Sequence, residues 1–114
     1  MQVQYLEIVT SDVDGTCATL ETVHGVSFCS GVAALGGART VSLSGGSRIG
    51  VRAPMSDAEV PVVRSYVLVD DVEAAAAAAA ESGAEIAHPP MELPGEGKFA
   101  IYVRGGVQHG LWQA

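Results

Sequence analysis

Gly45-Gly46-Ser47-Arg48-Ile49-Gly50-Val51-Arg52 is answered 60 residues later by Gly105-Gly106-Val107-Gln108-His109-Gly110-Leu111-Trp112. Three glycines fall in register, and Val51 meets Leu111. Upstream, Arg39-Thr40-Val41-Ser42-Leu43 aligns at the same offset with Phe99-Ala100-Ile101-Tyr102-Val103. Earlier still, at an offset of 59, Tyr5-Leu6-Glu7-Ile8-Val9-Thr10-Ser11-Asp12-Val13 meets Arg64-Ser65-Tyr66-Val67-Leu68-Val69-Asp70-Asp71-Val72. An internal repeat of this kind governs the fold, because each copy is one supersecondary unit.

Each copy reads as β-α-β-β-β. In the first, residues 3–10 alternate as a strand and run into the cap Ser11-Asp12. Residues 13–23 form a short helix closed by His24-Gly25. Val26–Cys29, Arg39–Leu43 and Arg48–Arg52 read as strands, with Gly45-Gly46 as a hairpin signal. In the second copy, Val62–Val69 is a strand. Asp71–Ser82 is a helix holding seven consecutive alanines, Ala74–Ala80, capped by Asp70 or Asp71 and stopped by Gly83. Glu85–His88 is a strand that Pro89-Pro90 should end, since neither proline donates to a ladder. Met91–Gly97 reads as a loop, a plain connector or a lid hinged at Gly95 and Gly97. Lys98–Val103 and Val107–Gln113 form the last hairpin. The chain is therefore one domain, 1–114, with module one at about 1–53, a linker at 54–61 and module two at about 62–114.

Bulk composition narrows the function. Six basic residues face 13 acidic ones, a net charge of −7, which argues against nucleic-acid and anionic-membrane partners. No stretch approaches the roughly 18 apolar residues of a spanning helix, and no signal-peptide pattern opens the chain. Cys17 and Cys29, without a CxxC, read as reduced thiols of a cytoplasmic protein. Gly31–Gly37 precedes no helix and is a poor phosphate cradle.

This tandem βαβββ pattern resembles the vicinal oxygen chelate superfamily of glyoxalase I, bleomycin-resistance proteins and extradiol dioxygenases. The resemblance is carried by Tyr66–Ala74, Ser82-Gly83-Ala84, Pro89–Gly97 and the ending Gly110-Leu111-Trp112-Gln113. It implies an α+β fold in which the two modules curve into a cup-shaped, partly open mixed β-barrel with helices outside and the ligand in the cup. Strand parity then sorts the side chains. Leu6, Ile8, Val67 and Val69 belong under the helices. Tyr5, Glu7, Val9, Arg64, Tyr66 and Leu68 belong on the opposite face, with Gly50, Arg52, Gly110 and Trp112 at the ends of the modules.

Metal-dependent members of that superfamily take inward His, Glu or Gln ligands from the starts of the first and fifth strands and the ends of the fourth and eighth. Those positions here are Tyr5, Arg64, Gly50 and Gly110. Two have no side chain and one is a permanent cation, so no metal or other cofactor is expected. His24, His88 and His109 read as structural residues: His24 at a helix end, His88 before Pro89, and His109 on the parity opposite Gly110 and Trp112.

What remains is a set of aromatic and charged side chains on one face. Tyr5, Arg52, Arg64, Tyr66 and Trp112 are the candidate substrate contacts, suited to an anionic or aromatic small molecule. Glu7 beside Arg64 or Tyr66 is the candidate catalytic base, or half of an internal ion pair. Three functions are consistent with these residues. The first is a metal-free small-molecule-binding protein of the glyoxalase/bleomycin-resistance type, expected as a homodimer. The second is an enzyme (lyase-, isomerase-, hydroxylase- or dioxygenase-like) working through Glu7 as base or through a divalent metal held by a ligand set other than the superfamily's. The third is an interaction module that dimerises by a sheet edge.

Overall fold

A computed structural model describes all residues, 1–114. The chain is α+β, and its elements run β1 (Val3–Val9), α1 (Val13–His24), β2 (Gly31–Val32), a 3-10 turn (Ala33–Leu35), β3 (Ala38–Ser42) and β4 (Arg48–Arg52). They continue as β5 (Val62–Leu68), α2 (Val72–Glu81), β6 (Glu85–Leu93), β7 (Gly97–Arg104) and β8 (Val107–Gln113). The β-α-β-β-β order thus occurs twice. The chain divides into two compact units, Leu6–Val63 and Met1–Tyr5 with Arg64–Ala114.

In the unit Leu6–Val63 the strand order is β2-β3-β4-β1, with β3 antiparallel to both β2 and β4. Helix α1 starts where the Asp12 carboxylate accepts the Gly15 N–H at 3.2 Å, and it ends on Gly25 in the left-handed conformation. Its buried Cys17 packs with Phe28 and Val51, flanked by Ile8, Leu20, Val41 and Ile49. Val26–Cys29 is not a strand, contrary to expectation. The Phe28 N–H donates to the Glu21 side chain of α1 at 2.8 Å, and only Cys29 reaches β3, its N–H donating to the Thr40 carbonyl at 2.8 Å. The short strand β2 follows it instead.

In the other unit the order is β1-β5-β8-β7-β6, mixed, with β5 parallel to β8 and β8, β7 and β6 antiparallel. Asp71 caps α2 by accepting the Ala74 N–H at 3.1 Å, and the Gln113 side chain accepts the Val72 N–H at 2.9 Å. Val72 and Ala76 pack with Ala100 and Leu111, the small helix face permitting close approach. The β7–β8 hairpin turns through Gly105-Gly106, both at positive φ (63° and 75°), directly between the paired residues Arg104 and Val107. That two-residue turn demands residues free of a Cβ penalty, and Gly45-Gly46 meets the same demand in the β3–β4 connection.

Strand β6 departs from the sequence reading. It does not stop at Pro89-Pro90 but runs on to Leu93, so Met91–Leu93 is strand and only a short turn separates it from β7. Two features permit this. β6 is the edge strand, where a proline need not donate, and its pairing with β7 shifts register between Ile86 and His88 and between His88 and Met91. The expected long loop, and with it the lid, is replaced by a hairpin.

Candidate functional site

Alternation along β1 sets the site. Tyr5, Glu7 and Val9 are buried, while Leu6 and Ile8 are half-buried. Ile8 packs with α1, as parity requires, so Glu7 points to the opposite face. On β4, Val51 joins the α1 core and Arg52 takes the other face. Within the unit Leu6–Val63 this brings Glu7 and Arg52 together: Arg52 Nε donates to Glu7 Oε2 at 2.7 Å.

Arg52 has further partners that sequence reasoning missed. Its Nη1 and Nη2 donate to the two carboxylate oxygens of Glu59 at 2.8 and 2.7 Å, and Nη1 also donates to the Ala53 carbonyl at 3.1 Å. Glu59 accepts the Met55 N–H as well, at 2.8 Å, which folds residues 53–59 back onto the end of β4. The bidentate bond from Glu59 above all, then Glu7, holds the guanidinium charged far beyond its usual range, against the opposing pull of burial. The side chain is 5% exposed. One of its five N–H groups is left over, so Arg52 is the centre of an internal ionic triad with one spare donor. Nothing periodic in residues 54–61 marks Glu59. The only signal was one of two acids, Asp57 and Glu59, in a Pro-flanked linker.

In the other unit, the face of the sheet opposite α2 is aromatic. Tyr5, Tyr66 and Trp112 form one cluster, with ring centroids 5.9 Å apart for Tyr5–Tyr66, 5.2 Å for Tyr5–Trp112 and 5.7 Å for Tyr66–Trp112. Phe99 lies opposite Trp112 in the β7–β8 ladder and stands edge-on to Tyr66 at 6.1 Å. His88 extends the row, 4.6 Å from Phe99. Tyr5, Tyr66 and Trp112 are buried, whereas Phe99 and His88 are half-buried, so these last two are the accessible end of the face. Neither was among the sequence candidates. Arg64 sits at the other end. Its Nε donates to Gln108 Oε1 at 2.8 Å and its Nη1 lies 3.4 Å from the Tyr66 hydroxyl.

His109 takes the α2 side of β8, as its parity requires, and stacks on Tyr102 at 4.9 Å with planes 10° apart. Tyr102 itself packs against the α2 core. His24 is the basic residue in the last turn of α1.

The residues at the superfamily's ligand positions do not fit a divalent ion. Gly50 and Gly110 offer no donor, and Arg64 brings positive charge. At position 110 there is also no room for a ligand side chain. A Cβ there would fall 2.7 Å from the Ser65 carbonyl oxygen and closer still to the Tyr66 ring. The Tyr66 ring fills that space.

No protein-family model and no curated protein sequence matches the chain. Solved structures do. A hypothetical protein, BH1468, from Bacillus halodurans C-125 superposes with a TM-score of 0.79 at 12% identity, over 99% of this chain and 94% of that one. The Streptomyces coelicolor methylmalonyl-CoA epimerase (S115T) in complex with 2-nitronate-propionyl-CoA gives 0.74 at 16% identity, over 100% and 94%. The epimerase of Mycobacterium tuberculosis gives 0.75 at 16% identity, over 97% and 86%. At these identities the likeness is one of architecture: the chain shares the fold of these structures.

Proposed function

We propose that this protein binds a small organic molecule, without a divalent metal, as proteins of the glyoxalase/bleomycin-resistance type do. The ligand is aromatic or carries a flat conjugated group, and it lies on the Tyr66–Trp112–Phe99 face at its accessible end. The observation that carries this reading is the make-up of that face. The sheet already has an aliphatic core on its α2 side, Val72, Ala76, Ala100 and Leu111. The opposite side carries rings with Arg64 and the Tyr66 hydroxyl, the mix of apolar wall and few polar groups that small-molecule sites use. The Streptomyces coelicolor epimerase of the same fold was solved in complex with 2-nitronate-propionyl-CoA, which supports a small-molecule role for such a scaffold.

The competing reading, an enzyme with Glu7 as general base, needs Glu7 to release Arg52. The Glu7 Oε2 is occupied by the Arg52 N–H at 2.7 Å, and that bond would have to break before this oxygen met a substrate proton. Binding therefore fits the geometry better than catalysis through Glu7.

Native mass spectrometry of the protein as purified tests the proposal. A retained organic molecule, and no stoichiometric divalent metal, is the expected result. Titration with aromatic carboxylates and phenols, followed through Trp112 fluorescence, extends the test because Trp112 is the one tryptophan of the chain. A stoichiometric metal ion would overturn the metal-free assignment. Failure of every aromatic probe to perturb Trp112 would overturn the ligand assignment.

A further inference from the structure

His88 owes its position to a bulge. Ile86 lies opposite Tyr102 and packs on the α2 side of the sheet. Simple alternation would send His88, two residues on, to that same side. Instead His88 lies opposite Ile101, a single step along β7, so Ala87 is an extra residue. The extra residue turns His88 to the aromatic face, where its ring lies 4.6 Å from Phe99. A second shift before Met91 then brings Met91 opposite Phe99. Bulges re-aim individual side chains in this way and concentrate near functional sites.

The ring is also fixed in its protonation pattern. Nδ1 lies 2.7 Å from the Pro89 carbonyl oxygen. A carbonyl oxygen only accepts, so Nδ1 carries the hydrogen and donates it. In the neutral imidazole, Nε2 is then a bare acceptor. Pro89 supplies this carbonyl from a bulged edge strand, where its own missing N–H breaks no ladder bond. The Pro-Pro pair, which read as a strand stop, is thus part of what orients a histidine.

We propose that His88 Nε2 is the ligand-facing hydrogen-bond acceptor of the aromatic face, and that the ligand presents a hydroxyl to it, as a phenol or enol does. His88 is a specificity residue on this account: the rings hold the flat body and Nε2 reads the O–H. The inference rests on the aromatic-face reading above and goes beyond it by naming the polar group the site selects.

The test uses two probes of the same flat body, 2-naphthol and 2-methoxynaphthalene, with the wild-type chain and His88→Phe. The variant keeps a ring against Phe99 and removes both nitrogens. The wild type is expected to prefer the naphthol about tenfold, the worth of one hydrogen bond to a site that would otherwise leave an acceptor unmade. The variant is expected to bind both probes alike. Equal binding of the two by the wild type, or a preference that survives in the variant, would overturn the role of His88 and leave the aromatic face standing. If neither probe binds and the Trp112 indole resonance stays unmoved, both readings fall together. Nitrogen-15 NMR of the ligand-free wild type gives an independent check that needs no variant. The neutral His88 ring should show a protonated Nδ1 and an unprotonated Nε2, and the opposite tautomer would overturn the proposal.

Discussion

The Arg52 guanidinium and the Glu59 carboxylate meet edge to edge, Nη1 to Oε1 at 2.8 Å and Nη2 to Oε2 at 2.7 Å. Two parallel N–H···O bonds of this kind fix both distance and plane, which a single charge contact does not. Since Glu7 takes Nε of the same group, one cation serves two carboxylates and joins β1, β4 and the 53–59 segment.

Removing that cation takes from the Glu7 and Glu59 carboxylates the partner they share. Arg52→Ala is expected to cost about 3–5 kcal/mol in urea unfolding, the range for breaking a buried pair from one side. Arg52→Lys should recover only part of this, because an ammonium cannot make the fork. Glu59→Gln should cost less, about 1–2 kcal/mol, since its side chain is partly solvated at 22% exposure and an amide oxygen can still accept. An Arg52→Ala chain as stable as the wild type would show that the triad does not hold the segment.

Position 110 tests how closely the Tyr66 ring packs against the β8 backbone. Gly110→Ala places a methyl group against the Tyr66 ring and the Ser65 carbonyl. Overpacking of this sort costs about 1–3 kcal/mol, so a lower melting temperature is expected. Tyr66→Ala in the same chain should relieve the clash, giving a double-mutant coupling of opposite sign to the single losses. Additive losses would mean that the two residues do not compete for the same volume.

Helix α2 makes a prediction about its cap and its packed face. Ala74–Ala80 supply high propensity, and Asp71 supplies the cap. Asp71→Ala should destabilise by about 1 kcal/mol. Ala76→Gly should do the same through backbone freedom and lose contact with Ala100 and Leu111. Far-ultraviolet circular dichroism during thermal unfolding reads both. A cap variant with unchanged melting would point to Gln113, which already accepts the Val72 N–H, as the dominant cap.

The elements most readily read from the sequence were those whose signal is periodic or chemical at short range. The parity of β1 correctly sorted Glu7 from Ile8, and that of β8 sorted Trp112 from Leu111, because one slip of register would expose a whole apolar face. The helix starts were legible as Ser11-Asp12 and as Asp70 or Asp71, of which Asp12 and Asp71 do the capping, with Gly25 closing α1. Two parts of the site were not. Glu59 lies in an aperiodic linker, and its role depends on where a loop folds back, which no spacing encodes. His88 lies beyond a bulge, and a bulge inverts the very parity rule used to place it. Pro89-Pro90 was the available sign. Read as an edge strand with irregular pairing, rather than as a strand end, it would have pointed to the aromatic face.

The two cysteines should differ sharply in reactivity. Cys17 is buried against Phe28 and Val51, and burial pushes its thiol above the usual value of 9.0. Cys29 is exposed, and its Sγ lies 3.0 Å from the Thr40 hydroxyl. That hydroxyl bonds the thiolate and draws the pKa below 9.0, helped by the Thr40 backbone contact. The thiolate is the reactive form, so the rate of alkylation rises as pH climbs through the pKa. For Cys29 the midpoint of that rise should fall below 9.0, and Thr40→Val should move it back upward. Cys17 should react only once the chain is unfolded in denaturant. Mass spectrometry after timed iodoacetamide labelling at several pH values distinguishes the two sites. Equal labelling of both in the folded protein would contradict the burial of Cys17, and an unmoved midpoint in Thr40→Val would remove the hydroxyl as the cause.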